Sequence, residues 1–217
     1  MDERDIIQQT AEHVRALLSG EGTGHDWHHI ERVRRAALAI GQGEGADLFV
    51  VELAALLHDI ADWKFAGGDH EAGPRQSRAW LQSLGVDARA IDHVCEIVAG
   101  LSFQGAGVKA AVLTLEGQCV QDADRLDALG AIGIARAFAY GGHKGQPLYE
   151  PDAPPTPHDS FEAYQRGASS TINHFYEKLL LLRDRMNTAA GRRLAAERHR
   201  FLEAYLEQFY AEWNGQR

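Results

Sequence analysis

Ala54-Ala55-Leu56-Leu57-His58-Asp59-Ile60-Ala61-Asp62-Trp63 decides how the chain folds: a run apolar enough to be buried ends on a histidine and an aspartate, with a second aspartate one turn later. The stretch from Leu53 to Leu57 carries no polar side chain, so it reads as a core helix that draws the groups at its end inside with it. An unpaired buried polar group costs several kcal/mol. His58 and Asp59 therefore need partners, and a metal ion would serve both at once.

On the N-terminal side, Ile6, Ile7, Val14, Leu17 and Leu18 recur at helical spacing and predict a helix over 3–18, a lid or brace ended by Gly20. Ile30, Val33, Ala37 and Ile40 predict a second helix over 25–40, with His25, His28 and His29 in its first turns and the glycines between Gly41 and Gly45 as its stop. A third, over 47–63, carries the opening stretch. Beyond it, 66–74 reads as a loop by composition, 76–84 as a short helix, and 87–101 as a helix with Asp87 as its N-cap.

One long helix is expected over 109–140. Within it, Gln121-Asp122-Ala123-Asp124-Arg125-Leu126-Asp127-Ala128-Leu129-Gly130 sets carboxylates into an otherwise apolar pattern, and such a cluster needs cations. Glycines and prolines make 141–158 a long loop. Two helices, 160–186 and 188–213, close the chain with apolar stripes of Phe175, Leu179 and Leu182 and of Phe201, Leu202, Tyr205 and Phe209. No alternating run rich in Val, Ile and Thr argues for a sheet. The expected fold is all-α, one domain over 1–217 with its metal-binding core at about 24–140 and its C-terminal helices at about 159–213.

With 31 acidic against 22 basic residues and a formal net charge of -9, the overall field repels a polyanion, which disfavours nucleic-acid binding through a basic face. A small anionic substrate must be met by local charge. Cys95 and Cys119 match neither a zinc knuckle nor a redox pair and read as core thiols. Acidic residues stand where a leader would be basic, and no stretch approaches the roughly 18 apolar residues of a membrane span. The expected compartment is the cytoplasm, with no membrane partner. The aromatic stripe Phe201, Tyr205, Phe209 and Trp213 suits either core packing or a homodimer surface.

His29, His58, Asp59 and Asp124 are the polar residues that fall where the apolar pattern demands core. Two imidazoles and two carboxylates form a mixed nitrogen and oxygen set, suited to a divalent first-row metal with positions left open for water. A closed structural zinc site would draw on thiolates. Adjacent residues stand about 100° apart around a helix, so His58 and Asp59 can share one ion only near the helix end.

In their order and in their flanks, His25-Asp26-Trp27-His28-His29-Ile30-Glu31-Arg32-Val33, Leu57-His58-Asp59-Ile60-Ala61-Asp62-Trp63-Lys64-Phe65 and Asp122 to Gly130, these motifs resemble the HD-domain metal-dependent phosphohydrolases. The resemblance is narrower to a small stand-alone bacterial branch, some of whose members are manganese-dependent nucleotide pyrophosphohydrolases. It covers most of the chain, and it implies His29, His58, Asp59 and Asp124 as metal ligands. Mn²⁺ is the implied ion, with Mg²⁺, Ni²⁺, Fe²⁺ or Zn²⁺ as alternatives. Asp62, one turn after His58 on the same face, suits a base that orients or deprotonates a water. Asp127, one turn after Asp124, suits either a hydrogen bond to a ligand or a contact with a substrate hydroxyl.

Arg32, Lys64 and Arg125 are the cations placed to meet phosphate, although a helical Arg or Lys is more often solvated. His25 reads as a cap or a support for His29, and His28 faces away. His70, His93, His143 and His174 read as structural, with His70 and His93 the nearest to exceptions. The implied reaction is hydrolysis of a nucleoside or deoxynucleoside triphosphate to monophosphate and pyrophosphate. Its rivals are a phosphomonoesterase acting on nucleoside monophosphates or sugar phosphates, and a nucleotide-sensing module without turnover.

Overall fold

The computed structural model describes residues 1–18, 26–61, 69, 71–101, 113–156 and 170–217. Among these residues all regular structure is helical and no strand occurs, as the periodicity predicts. They cluster into two compact units, one reaching through Asp124 and the other running from Arg125 to Arg217.

The first unit is built on α3 (Leu48–Leu57), in which Val50, Val51 and every residue from Leu53 to Leu57 are buried. Three helices pack on it: α1 (Glu3–Leu17), α2 (Trp27–Glu44) and α5 (Ala88–Leu101), with α4 (Ala72–Ser83) lying on α5. Aspartates start three of them. Asp2 accepts from the Asp5 N–H, Asp26 from His29 and Asp47 from Phe49 and Val50, each satisfying donors that the first turn leaves open. Arg34 of α2 bonds Glu52 of α3, fixing the two helices that carry the histidines.

Several boundaries differ from expectation. Helix α2 runs through Gly41 and Gly43 and stops only at Gly45, whose φ of 77° is left-handed. Gly41 belongs inside it because a Cβ there would stand 3.1 Å from Leu48 Cδ2. Helix α3 stops at Leu57 rather than continuing to Trp63, which leaves His58 at its C-cap. Helix α4 begins at Ala72, earlier than the loop reading allowed, since a proline in the first turn, here Pro74, lacks an N–H the helix would not use.

Another difference is the long helix expected over 109–140, which is two: α6 (Leu115–Asp127) and α7 (Gly130–His143). Ala128 N–H turns back to the Arg125 carbonyl and Leu129 N–H to Leu126, and Gly130 takes a φ of 68° that reverses the chain. In the second unit α7 packs on α9 (Ala189–Trp213), with α8 (Thr171–Glu177) and a 3₁₀ segment (Leu179–Arg185) beside them. Of the helix expected over 160–186, residues 160–169 lie outside the described residues, and the rest is not continuous, dividing at Lys178 into α8 and the 3₁₀ segment.

The core of this unit is Ile172, Phe175, Leu179, Leu182, Leu202 and Leu206. Phe175 stacks on Tyr205 with centroids 5.8 Å apart. Phe201, counted in the stripe, is exposed instead, because the buried face of α9 runs through Ala195, His199, Leu202 and Leu206. No helix among the described residues is long and apolar enough to cross a membrane.

Candidate metal centre

His29 is the third residue of α2, and its backbone N–H is held by the Asp26 carboxylate at 2.8 Å, so the cap of the helix also fixes the turn that presents the imidazole. The ring is buried, with 1% of the side chain exposed. His58 arrives from the end of α3. Its Nδ1 lies 2.8 Å from the Ala55 carbonyl oxygen, and a carbonyl only accepts, so Nδ1 carries the proton. The bond anchors the ring to the last turn of α3. It also leaves the Nε2 lone pair directed away, buried and with no hydrogen-bond partner among the described residues.

One donor atom each from His29, His58 and Asp59 lies within 4.8 Å of the others. Asp59 Oδ2 stands 3.4 Å from His58 Nε2 and 3.5 Å from His29 Nε2, and Asp124 Oδ1 stands 3.5 Å from the same His29 nitrogen. These separations are too long for good hydrogen bonds. They match donors around one ion, since two ligands at about 2.1 Å subtending 90–110° are about 3.0–3.4 Å apart. The buried Nε2 of His58, without a hydrogen-bond partner among the described residues and 3.4 Å from the Asp59 carboxylate, fits a divalent cation and is costly without one. The four candidate ligands thus converge, three from one tight group and Asp124 from the last turn of α6 with nearly half of its side chain exposed.

The remaining candidates fall differently. Asp62, Lys64, His25 and His70 lie outside the described residues. Arg32 is half-buried on α2. Arg125 donates through Nη1 to the carbonyl of Arg185, and Asp127, 3% exposed, receives Arg136 Nη1 on Oδ2 at 2.5 Å. The exposed His28 faces away as expected, and His93 Nε2 pairs with Thr114 Oγ1 at 2.8 Å, a structural use. His143 is exposed, and burial together with Lys178 lowers His174 to about 4. Both cysteines are free and buried. Burial first, then Asp122 and Glu44, pushes the Cys119 thiol up to about 12, which marks it as a core group.

Sequence reasoning missed three supports. Asp26 was visible as an N-cap signal ahead of Ile30 and Val33. Arg136 and Arg198, which bind the end of α6, carried no local signal, because their partners lie 9 and 72 residues away.

A model of the HD domain matches residues 26–129, which takes in all four converging side chains. An uncharacterized Bacillus subtilis protein, YpgQ, is 42% identical over 209 residues, 96% of this chain and 94% of that protein. Among solved structures, an HD-superfamily hydrolase from Bacillus thuringiensis is 43% identical with a TM-score of 0.79, over 98% of this chain and 99% of that one. The structure of Bacillus subtilis YpgQ in complex with ADP is 39% identical with a TM-score of 0.78, over 98% and 97%.

Proposed function

The chain belongs to the HD-domain hydrolases, and on that premise we propose that it is a metal-dependent phosphohydrolase that converts nucleoside or deoxynucleoside triphosphates to monophosphate and pyrophosphate. The observation that carries this reading is the convergence of His29, His58 and Asp59, with Asp124 3.5 Å from His29, where the buried Nε2 of His58 has no hydrogen-bond partner among the described residues. The ADP complex of YpgQ supports a nucleotide as the ligand class.

His29, His58, Asp59 and Asp124 would hold the ion, with Mn²⁺ the ion of choice. When bound, such an ion supplies Lewis acidity and neutralises charge that gathers on phosphate oxygens. Asp62 takes the proton of the attacking water as its oxygen bonds the α-phosphorus and the bond to the pyrophosphate oxygen breaks. Lys64, Arg32 and Arg125 are the cations that hold phosphate oxygens in this reading. Ala55 keeps His58 in the tautomer a ligand requires, through its carbonyl.

The test is incubation of the protein with Mn²⁺ and a panel of nucleotides, reading both pyrophosphate and inorganic phosphate. Pyrophosphate with an equal amount of monophosphate supports the proposal. Inorganic phosphate without pyrophosphate overturns it in favour of a phosphomonoesterase.

A further inference from the structure

Asp124 occupies the final turn of α6, the part of a helix whose carbonyls have no partner within the helix and which frays most readily. Its side chain is 48% exposed, so packing does little to fix it. Something else must hold that turn. Arg198, from α9, donates through Nη1 to the Leu126 carbonyl at 2.5 Å. Arg136, from α7, donates through Nη1 to Asp127 Oδ2 at 2.5 Å and also reaches the Asp127 carbonyl at 3.5 Å.

The bend after α6 is shaped to admit these groups. A Cβ on Gly130 would stand 3.2 Å from both Cβ and Cγ of Arg198, so a glycine lets the arginine stem pass beneath the turn, and its φ of 68° turns the chain aside. Arg198 is half-buried, and burial holds its guanidinium below its ordinary range although the neighbouring charge of Asp127 opposes this. Putting a guanidinium there is costly unless it does something at that helix end.

We propose that Arg136 and Arg198 are positioning residues for the metal centre: together with Asp127 they clamp the last turn of α6 and so hold the Asp124 carboxylate toward His29. This rests on the reading of Asp124 as a metal ligand. It gives Asp127 a task other than chemistry, as the acceptor through which Arg136 acts.

The experiment measures Mn²⁺ affinity directly, from the free-ion signal in electron paramagnetic resonance titrations of wild type, Arg136→Gln, Arg136→Lys, Arg198→Met and Asp124→Asn. Circular dichroism confirms that each protein is folded at the temperature used. Arg136→Gln and Arg198→Met should weaken Mn²⁺ binding about tenfold or more, and Arg136→Lys should recover part of the loss. In an Asp124→Asn background the same Arg136→Gln change should cost nothing further, because the ligand it positions is gone. Leu206→Ala, a core change in α9, should lower stability without altering affinity.

Clamp variants within twofold of a wild type that binds Mn²⁺ would overturn the clamp alone. So would losses that simply add to that of Asp124→Asn. A wild type that takes up no Mn²⁺ would overturn the metal reading and the clamp with it. Should Arg198→Met not fold, Arg136→Lys and Arg136→Gln carry the same decision.

Discussion

Arg34 gives both Nε and Nη2 to a single oxygen of Glu52, joining α2 to α3 by a charged pair, with Nε at 2.8 Å. A third N–H, on Nη1, goes to Glu31 at 3.2 Å. The carboxylates hold the Arg34 guanidinium above its ordinary range although burial opposes them. The pair therefore ties the helix that presents His29 to the helix that presents His58.

A double-mutant cycle with Arg34→Met and Glu52→Gln should give a coupling of about 1 kcal/mol, read from denaturant unfolding of the four proteins. The pair is partly shielded from water, so raising the salt should shrink the coupling but leave most of it. Simple additivity of the two changes would show that the pair contributes nothing.

Metal content separates ligands from bystanders. The purified protein should carry a divalent ion, lose activity to a chelator and regain it with Mn²⁺. Asp59→Asn and His58→Gln should lower bound metal by elemental analysis and activity by about 100-fold or more. Retention of both by either variant would remove that residue from the ligand set.

Asp62→Asn should behave differently from a ligand change. It should keep the ion while kcat falls on the order of 10²–10⁴, with the acid limb of the pH profile lost. Loss of metal instead would place Asp62 among the ligands.

His174 provides a test of stability against pH. Burial, aided by Lys178, lowers it to about 4 from 6.5, so the folded state resists the proton that the unfolded chain accepts. Its contribution is complete above pH 6.5 and declines as pH falls from there toward 4, by about 2 kcal/mol at pH 5. His174→Phe should therefore flatten the decline in melting temperature between pH 7 and pH 5. An unchanged slope would assign the acid sensitivity elsewhere.

The helical class and the converging residues His29, His58 and Asp59 were legible because they follow from local pattern: apolar spacing places Leu53 to Leu57 inside, and the groups at its end are drawn in with it. Asp124, expected at a core position, has 48% of its side chain exposed. The ends of helices were less legible. No glycine or proline stands between Leu57 and Ala66, so the residue types carry no stop signal where α3 ends and His58 Nδ1 meets the Ala55 carbonyl. The break between α6 and α7 was hidden for a related reason. Gly130 reads as a tolerated glycine until arginines distant in sequence are seen to occupy the space it leaves. Asp127 shows the same limit: spacing put it beside Asp124, whereas its carboxylate serves Arg136.

Ending α3 at Leu57, with no basic residue in its last turn, also sets an order of events. The carboxyl end of a helix is its negative pole, and here it shares a corner with Asp59 and Asp124 in a chain of net charge -9. A polyanion approaching that corner first meets repulsion, whereas a small cation meets attraction. Under the proposed function, loading should therefore be sequential, with the cation first and the polyphosphate following onto a corner whose charge that cation has neutralised.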